Sequence, residues 1–457
     1  METYPDDLPG PLEAYCSLLD AAFTRPTQRD SFRRYLQGLL MSAERNKTAT
    51  GLANTEPGKT GSKHKAAQRL QWFLSESSWN PDALHQARLA LMRELPTTKS
   101  NQDAVLVVDE TGDRNYGTHT AHVGRQYLGS LGKVDSGVVS VHLLYATEQT
   151  YFPLGLKPYT PASHYQRKDR DPEFKTKPRL ALELLNEFSE KWPFRAVLAD
   201  SLYGRNDRFQ HQLSTHFIPF VMALPASYTW WHREGEAGGV EELAHIAAAK
   251  SWLPLVRTFA DEHQEVVWVA ELDGKVFGPA KTLRLIVVTN DPVMLPDATT
   301  EYLISNLRVS EDDQHEWHAK GSPASPHEIA LLYARRVVIE QAYREVKQHL
   351  GWAQYQARSS LAIQRHWALV CTAFCFLWWD AQLTAEKDKD VDERTPEPAV
   401  AAPMSWSALL RRVRGWLEPF VWMWRYWRAF SRGAPPRQLS DLLEKCRRGG
   451  SLYLYVT

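Results

Sequence analysis

Residues 333–347 combine polar side chains whose types and spacing suit work on a phosphate. The segment reads YARRVVIEQAYREVK, without glycine or proline, and Pro326 precedes it as a start signal, so we predict a single helix. Four polar residues would share one face of that helix, within an arc of roughly 60°: Tyr333, Arg336, Glu340 and Lys347. An acid between cations and a phenol suits a metal-assisted phosphate site. A solvated face with ordinary ion pairs is the competing interpretation.

Two aspartates end short apolar runs that have the form of buried strands. Residues 104–109 read AVLVVD and residues 195–200 read RAVLAD. In an open α/β sheet, sites form at the carboxyl ends of strands, where Asp109 and Asp200 would lie. An aspartate at a strand end also commonly starts a loop, so each residue alone is weak evidence. Together with Glu340, the pair supplies three carboxylates.

The elements around these acids indicate an α/β fold. The predicted order is three strands, a helix, a strand, a helix and a strand, at 104–109, 137–145, 151–156, 178–191, 195–200, 204–214 and 217–224. An antiparallel meander followed by helical crossovers is the order of an RNase H-like core. Four further strand patterns, between 255 and 306, predict a β-rich insertion before the helix at 333–347.

Composition places few limits on function. A chain of 457 residues is long for one core, and its 43% hydrophobic and 24% charged content is that of an ordinary globular protein. A formal net charge of zero neither favours nor excludes nucleic acid. Four cysteines without metal or disulfide spacing predict a reducing cytosol. The start of the chain lacks a signal-peptide pattern, and the apolar run at 367–379 is too short for a bilayer, so no membrane association is expected.

The spacing of the four polar residues at 333–347 matches a known family pattern. Tyr333, Arg336, Glu340 and Lys347 fill every position of Y-(2)-R-(3)-E-(6)-K, which marks the DDE transposases of the insertion-sequence-four superfamily. Residues 108–137 (VDETGDRNYGTHTAHVGRQYLGSLGKVDSG) resemble its seven-hundred-one branch, as do DSLYG at 200–204 and the residues from Leu350-Gly351 to Arg365-His366. The similarity covers about residues 20–383.

This resemblance implies a fold and a reaction. The fold is an RNase H-like catalytic core with a β-rich insertion domain, flanked by helical N- and C-terminal regions. The enzyme would cut DNA at transposon ends and join the freed 3′-OH to a target by a cut-and-paste route, which in several members passes through hairpin ends. The alternative is a host-adapted or inactive relative that only binds DNA. A third hypothesis is an unrelated hydrolase that uses a carboxylate pair, but the adjacent Asp109 and Glu110 have poor geometry for such a pair.

The resemblance also implies roles for single residues. Asp109, Asp200 and Glu340 would be the catalytic triad and would hold two Mg2+ ions, for which Mn2+ can substitute. Tyr333, Arg336 and Lys347 would hold DNA, chiefly through its phosphates.

Other acids near these positions should face elsewhere. Glu110 should point away from Asp109 because side chains alternate along a strand. Glu345 lies about 140° around the helix from Glu340, and Asp113 is expected at the surface.

Secondary candidates lie in the glycine-rich stretch and in the insertion. Arg125, Gln126 and Lys133 are placed to meet DNA, although a structural turn region explains them equally well. Hairpin-forming relatives hold a flipped base with an aromatic residue of the insertion, which makes Trp268 and Trp317 candidates for base stacking. Ordinary packing is the commoner role of such residues.

Domain boundaries follow composition and pattern. We predict a helical DNA-binding region at 1–100, catalytic core at 101–225 and 326–383, a β-rich insertion at 226–325, a charged linker at 384–403, and a Trp- and Arg-rich helical region at 404–457. The first region has basic residues that could follow a phosphate backbone: Arg33, Arg34, Arg45, Lys47, Lys59, Lys63, Lys65 and Arg69. The expected partners are double-stranded DNA, as terminal inverted repeats and target, and a second copy in a DNA-bound homodimer. The expected location is the cytoplasm, at the nucleoid.

Overall fold

A computed structural model of the chain describes residues 9–42, 46–53, 65–99, 101–232, 237–248, 252–258, 264–272, 274–276, 283–295, 299–312, 321–391, 404–431 and 433–452. Its architecture is a large mixed sheet with helices packed against it and flanking it at both ends of the chain.

The described part of the first hundred residues is helical. It contains α1 (Gly10–Leu18), α2 (Pro26–Leu40), α3 (Ala49–Ala53), α4 (Lys65–Ser75) and α5 (Pro81–Arg93). Proline occupies the first turn of α1, α2 and α5, where a missing N–H costs nothing. Helices α2, α4 and α5 bury their apolar faces against a long C-terminal helix, so this region packs onto the core.

The strands of the main sheet come from most of the chain. The first six are β1 (Val105–Arg114), β2 (Gly124–Leu128), β3 (Lys133–Ala146), β4 (Tyr151–Tyr159), β5 (Ala196–Ala199) and β6 (Phe220–Leu224). The next two strands of the chain, β7 (Thr229–His232) and β8 (Ala237–Gly239), lie outside this sheet. The other four members are β9 (Leu253–Thr258), β10 (Gln264–Leu272), β12 (Arg284–Thr289) and β13 (Glu301–Ser305). Their order across the sheet is β2-β3-β1-β5-β6-β13-β12-β10-β9, with β4 also pairing with β3. Strand β11 (Gly274–Val276) joins β7 and β8 in a small second sheet.

The central strands have the predicted topology. Strands β1, β3 and β4 form an antiparallel meander, and β5 and β6 add in parallel beside β1. Helix α6 (Lys177–Phe188) forms the crossover before β5, and α7 (Ser201–Gly204) and α8 (Asp207–Thr215) form the one before β6. The expected α/β class, with an RNase H-like core between helical regions, is confirmed.

The first strand is longer than the sequence pattern indicated. Strand β1 does not end at Asp109 but continues to Arg114, because residues 110–114 pair with β3 between Val141 and Gly137. The glycine-rich stretch that follows, for which no strand was predicted, also contains β2, which pairs with the start of β3. Together they form a long hairpin that extends from the central strands.

The strand-rich region after residue 226 is continuous with the main sheet. Strand β13 pairs antiparallel with β6, with Tyr302 opposite Leu224, and β12, β10 and β9 follow. Helix α9 (Val240–Ala248) packs on β8 and β10. The boundaries at 226 and 325 remain predictions, but most of the strands between them extend the sheet that carries Asp109.

The expected single helix at 333–347 is wrong. Helix α10 (Pro326–Ala334) ends after Tyr333, and α11 (Val337–His349) begins after Arg336. Within the turn, the Arg336 N–H donates to the Tyr333 carbonyl, three residues back, at 2.9 Å. This tighter turn, commonly found at helix ends, places Tyr333 on a different helix from Glu340 and Lys347.

The C-terminal helices are α12 (Ser360–Val391), α13 (Trp406–Phe430) and α14 (Arg437–Arg447). Helix α12 contains a stretch, Ser360–Ala385, that is long and apolar enough to cross a membrane by length and composition alone. Within the structure 67% of its most apolar window is buried, which is typical of a core helix. Helix α12 also continues through residues 384–391, the first part of the expected linker; residues 392–403 lie outside the described residues.

Candidate active site

The two aspartates meet at one edge of the sheet. Asp109 lies in β1 and is 8% exposed, while Asp200 directly follows β5. Strands β1 and β5 are parallel neighbours, with Val108 opposite Ala199, so Asp109 and Asp200 are the next pair along the two strands. Asp200 also caps α7, because its carboxylate accepts the Leu202 N–H at 2.9 Å.

Burial and mutual charge disfavour ionisation of both acids. Burial raises the pKa of Asp109 to about 7; the nearby Arg336 cation opposes that rise, and the charge of Asp200 adds to it. Burial also raises the pKa of Asp200, with the Glu110 charge as the next contribution. A buried and a partly buried carboxylate that repel one another form a site that a cation would stabilise.

Arg336 connects the third acid to this pair. Its Nη2 lies 3.2 Å from Oδ2 of Asp109, and its Nη1 donates to Oε1 of Glu340 at 2.9 Å. Its Nε is buried and has no hydrogen-bond partner in the part of the chain that the structure describes. The Glu340 side chain is 53% exposed. Among the described residues, no three His, Cys, Asp or Glu side chains are grouped closely enough to hold a metal ion.

The remaining family-pattern residues lie beside these acids. Tyr333 is buried at the end of α10; burial raises its pKa, and the charges of Arg336, Asp200 and Asp109 all act on it. Lys347 lies 2.8 Å from Oδ1 of Asp113, four residues along β1 from Asp109. Asp113 therefore does not lie free at the surface as expected, because the strand extends past Asp109 and brings it under α11.

Glu110 has its own set of partners. Its Oε1 lies 2.9 Å from the Lys177 ammonium at the start of α6, and its Oε2 accepts the Tyr203 hydroxyl at 2.8 Å. Alternation along β1 accounts for its turning away from Arg336 and α11. Sequence reasoning missed Lys177 and Tyr203, since nothing local to either residue indicates a contact with β1.

Tyr343 was also missed. Its hydroxyl is buried and lacks a hydrogen-bond partner among the described residues, and the charge of Asp109 acts on it. Its ring lies edge-on to His142, which pairs with Asp109 across the sheet. Tyr343 follows Glu340 by one helical turn, but an aromatic residue at that spacing more often indicates core packing.

Glu345 faces away from Glu340. It is 2% exposed, and both of its oxygens accept the Tyr151 hydroxyl at 2.9 Å. The Gln341 amide donates to it at 2.7 Å. Burial raises its pKa to about 7. Its contacts bind α11 to β4, a structural arrangement separate from the pair of aspartates.

The hairpin residues divide between the two faces of the sheet. Arg125 pairs with Ser136 on β3, and Asp109 pairs with His142 on the same strand. Ser136 and His142 are six residues apart, and side chains alternate along a strand, so Arg125 and Asp109 lie on the same face of the sheet. Gln126 is on the opposite face, where its amide donates to the Gly137 carbonyl at 2.9 Å. Lys133 also alternates to that opposite face.

The tryptophan candidates do not lie beside the acids in the described structure. Trp268 is half-buried on β10, four strands from β5, which corresponds to about 19 Å at the usual strand spacing. Trp317 lies outside the described residues. A role in base stacking stays a prediction for both.

Part of the basic N-terminal set is occupied by internal contacts. Arg33 forms ion pairs with Glu13 and Asp20, at 2.6 and 2.7 Å. The Lys47 ammonium is buried against the Leu39 and Met41 carbonyls. Arg45, Lys59 and Lys63 lie outside the described residues. The contacts of Arg33 and Lys47 stabilise the helical region, and DNA binding by this region stays a prediction.

Comparisons with known proteins identify the family of the chain. A family model described as DDE superfamily endonuclease matches residues 18–237, a span that contains Asp109 and Asp200 and ends before α10 and α11. The chain is also 31% identical over 290 residues to the "Probable transposase for insertion sequence element IS701" of Microchaete diplosiphon, covering 63% of this chain and 68% of that protein. The chain belongs to the DDE superfamily of endonucleases, as a transposase of the IS701 type.

Proposed function

We propose that this transposase cuts the ends of its own element and joins the freed 3′-OH to target DNA by a cut-and-paste route. The observation that carries the proposal is the pair of neighbouring acids, the buried Asp109 and the partly buried Asp200, with Asp109 linked to Glu340 by the Arg336 guanidinium. Buried acids with raised pKa values and a nearby cation suit phosphoryl transfer better than they suit a passive DNA-binding surface.

The residues present fit divalent metal ions. Asp109 and Asp200 offer only oxygen ligands, as hard cations prefer, and their mutual repulsion in a buried site would be relieved by positive charge. In the proposal Asp109, Asp200 and Glu340 hold two Mg2+ ions, with Mn2+ as a substitute. When bound, such ions activate the attacking hydroxyl and stabilise the leaving oxygen.

Other residues of the site would bind and orient the DNA. The unpartnered Nε of Arg336 is a donor available to a phosphate oxygen. If Arg336 turns to the phosphate, it releases Glu340 toward the two aspartates. Lys347, bound to Asp113, adds positive charge along the same face of β1. Tyr333, close to both acids, would orient the strand by hydrogen bonding rather than act as a nucleophile.

A DNA-binding relative that does not cut is the second candidate. It is favoured by one observation, the half-exposed Glu340 whose carboxylate is bound to Arg336 instead of grouped with the other two acids. Against it stands the cost of burying Asp109 and partly burying Asp200, two carboxylates that a binding protein does not need.

The proposed partners are the terminal inverted repeats, the target DNA and a second copy of the chain. Exposed aromatic residues near the end of α13 support contact with another copy: Trp422, Tyr426 and Phe430. The proposed location is the cytoplasm, at the nucleoid, where the DNA substrate is found.

The test is cutting of the protein's own terminal inverted-repeat DNA in the presence of Mg2+. We expect the wild-type chain to cut, and Asp109→Asn and Glu340→Gln to bind the same DNA without cutting it. Denaturing gels of the products also report whether the ends pass through a hairpin. Unchanged cutting by both variants, or failure of every form to bind these ends, would overturn the proposal.

A further inference from the structure

The hydroxyl of Tyr343 is a buried hydrogen-bond donor to which the proposed function gives no role. The residue is partly exposed, but its hydroxyl oxygen is buried and has no hydrogen-bond partner among the described residues. A buried hydroxyl without a partner destabilises a fold, and phenylalanine would fill the same space without that cost. A catalytic role is one explanation for such a group.

Helix α11 runs along β1 and places Tyr343 between two contacts to that strand. Arg336, just before the helix, contacts Asp109, and Lys347, near its end, contacts Asp113. Tyr343 follows Arg336 by seven residues, nearly two turns, so it lies on the same stripe of the helix. Because side chains on a helix lean toward its N-terminus, the Tyr343 side chain leans toward Asp109.

The ring of Tyr343 lies beside the cross-strand neighbour of Asp109. Its centroid is 5.1 Å from that of His142, edge-on, and His142 is directly opposite Asp109 on β3. Burial raises the pKa of Tyr343 well above its ordinary value, and the charge of Asp109 is the next contribution. The hydroxyl is therefore close to Asp109, although the two are not hydrogen-bonded in the structure.

One oxygen of Asp109 depends on Arg336. The Oδ1 atom of Asp109 accepts the Glu110 N–H at 2.8 Å, and its Oδ2 atom lies 3.2 Å from Nη2 of Arg336. If Arg336 turns to a DNA phosphate, as in the proposed function, Oδ2 keeps no donor among the described residues. A carboxylate that holds a metal ion is usually oriented by hydrogen bonds from the residues around it. Tyr343 has a donor on the correct side of β1.

We infer that Tyr343 is a positioning residue, whose hydroxyl donates to Asp109 once Arg336 has turned to the DNA. The new hydrogen bond keeps the Asp109 carboxylate oriented while the guanidinium neutralises a phosphate. A neutral donor suits a carboxylate that receives positive charge from bound metal ions. This role rests on the proposed function, because it requires that Asp109 hold a metal ion.

The first test measures Mn2+ binding to the full chain without DNA, by electron paramagnetic resonance of the free ion. Arg336→Met removes the guanidinium and leaves Oδ2 of Asp109 available to another donor. In that background Tyr343→Phe should raise the Kd for Mn2+ by about tenfold, the effect of losing a bond that orients a ligand. Where Arg336 is present, the same substitution should change the Kd by less than about threefold. An unchanged Kd in the Arg336→Met background, or equal effects in both backgrounds, would overturn the inference.

Tyr151→Phe is the matched control, because it also removes a tyrosine hydroxyl next to α11. That hydroxyl donates to Glu345 at 2.9 Å, away from the two aspartates. Tyr151→Phe should lower the melting temperature and leave the Kd for Mn2+ unchanged. Tyr343→Phe should not lower the melting temperature, because its hydroxyl makes no hydrogen bond in the described structure. A lower melting temperature of Tyr343→Phe with an unchanged Kd would identify a structural hydroxyl and overturn the inference.

Single-turnover cutting of terminal inverted-repeat DNA distinguishes positioning of Asp109 from contact with DNA. Tyr343→Phe should raise the Mg2+ concentration for half-maximal cutting by about tenfold, and excess Mg2+ should restore part of the rate. Its affinity for the same DNA in EDTA should equal that of wild type. A loss of DNA affinity would assign the hydroxyl to the DNA and overturn the inference.

Failure of this role can be told apart from failure of the proposed function. If wild type cuts and Tyr343→Phe has the same Mg2+ dependence, the hydroxyl does not position Asp109 and the proposed function stands. If wild type does not cut its terminal DNA, the proposed function fails, and the positioning role fails with it.

Discussion

Asp109 and Glu110 are adjacent carboxylates with different surroundings. Glu110 has one partner for each oxygen, Lys177 and the Tyr203 hydroxyl, and both belong to elements on its own face of the sheet. Asp109 shares its cation, Arg336, with the exposed Glu340, and it lies beside the charge of Asp200. Both oxygens of Glu110 therefore have partners within the protein, whereas Asp109 lies in a site where negative charge exceeds positive charge.

This difference separates a structural acid from one suited to chemistry. An acid with complete internal partners contributes to stability and gains little from a ligand. An acid that is buried, repelled by a neighbour and paired with a shared cation gains when a ligand supplies positive charge. The comparison predicts that substitutions at the two kinds of acid affect different measurements.

The largest expected effect is the loss of cutting on substitution of Asp200, whose negative charge lies beside Asp109. Asp200→Asn should reduce cutting of the terminal DNA by about 10³-fold or more, because several kcal/mol of metal-assisted stabilisation are lost. Asparagine can still cap α7, and the substitution removes a charge from a partly buried site where burial disfavours it, so the melting temperature should not fall. A variant that cuts normally would show that the aspartate pair is not the catalytic site.

Glu345 is a third kind of acid, buried and hydrogen-bonded within the protein but with a raised pKa. Its pKa of about 7 exceeds the ordinary value of 4.5, so the folded state retains the proton more strongly than the unfolded state does. Its contribution to stability is complete below pH 4.5 and is lost as the pH rises through 7, by up to about 3 kcal/mol. Urea unfolding of Glu345→Gln should therefore lose less stability than wild type between pH 5 and pH 8. Parallel curves for the two proteins would contradict this.

Arg336 is the cation that Asp109 shares with Glu340. Arg336→Gln should weaken binding to terminal inverted-repeat DNA by about tenfold, through loss of a charged phosphate contact. Arg344→Gln removes the same charge from an exposed position on α11 and should have a smaller effect. Electrophoretic mobility shifts at several salt concentrations compare the two. If the two variants lose the same affinity, Arg336 contributes only general charge attraction to DNA and no specific phosphate contact.

Glu110 should show the opposite behaviour to Asp200. Glu110→Gln leaves the Lys177 ammonium without its anion and should lower the free energy of unfolding by about 1 kcal/mol. Asp135→Asn, which removes a more exposed ion pair with Arg114, should change it far less. Chemical denaturation measures both. A stable Glu110→Gln protein would mean that Glu110 is not a structural acid.

The sequence predicted the strand order and the family better than the precise contacts of the side chains. Alternating and β-branched patterns located β1, β5 and β6, and the spacing of Tyr333 to Lys347 led to the correct family. The break at Arg335 and Arg336 was missed because no glycine or proline marks it. The extension of β1 was missed because its polar residues, including Asp113, are stabilised by β3 and by Lys347 from distant parts of the chain. Such contacts depend on tertiary structure and leave no local signal.

The most direct measurement compares cutting by Asp109→Asn and Glu110→Gln in one preparation, on the same terminal inverted-repeat DNA with Mg2+. Each substitution changes one carboxylate into an amide, at adjacent positions of the same strand. We expect loss of cutting by about 10³-fold for Asp109→Asn. We expect a change of less than about tenfold for Glu110→Gln, measured where that protein remains folded. Equal losses, or the reverse order, would contradict the assignment of Asp109 as catalytic and Glu110 as structural.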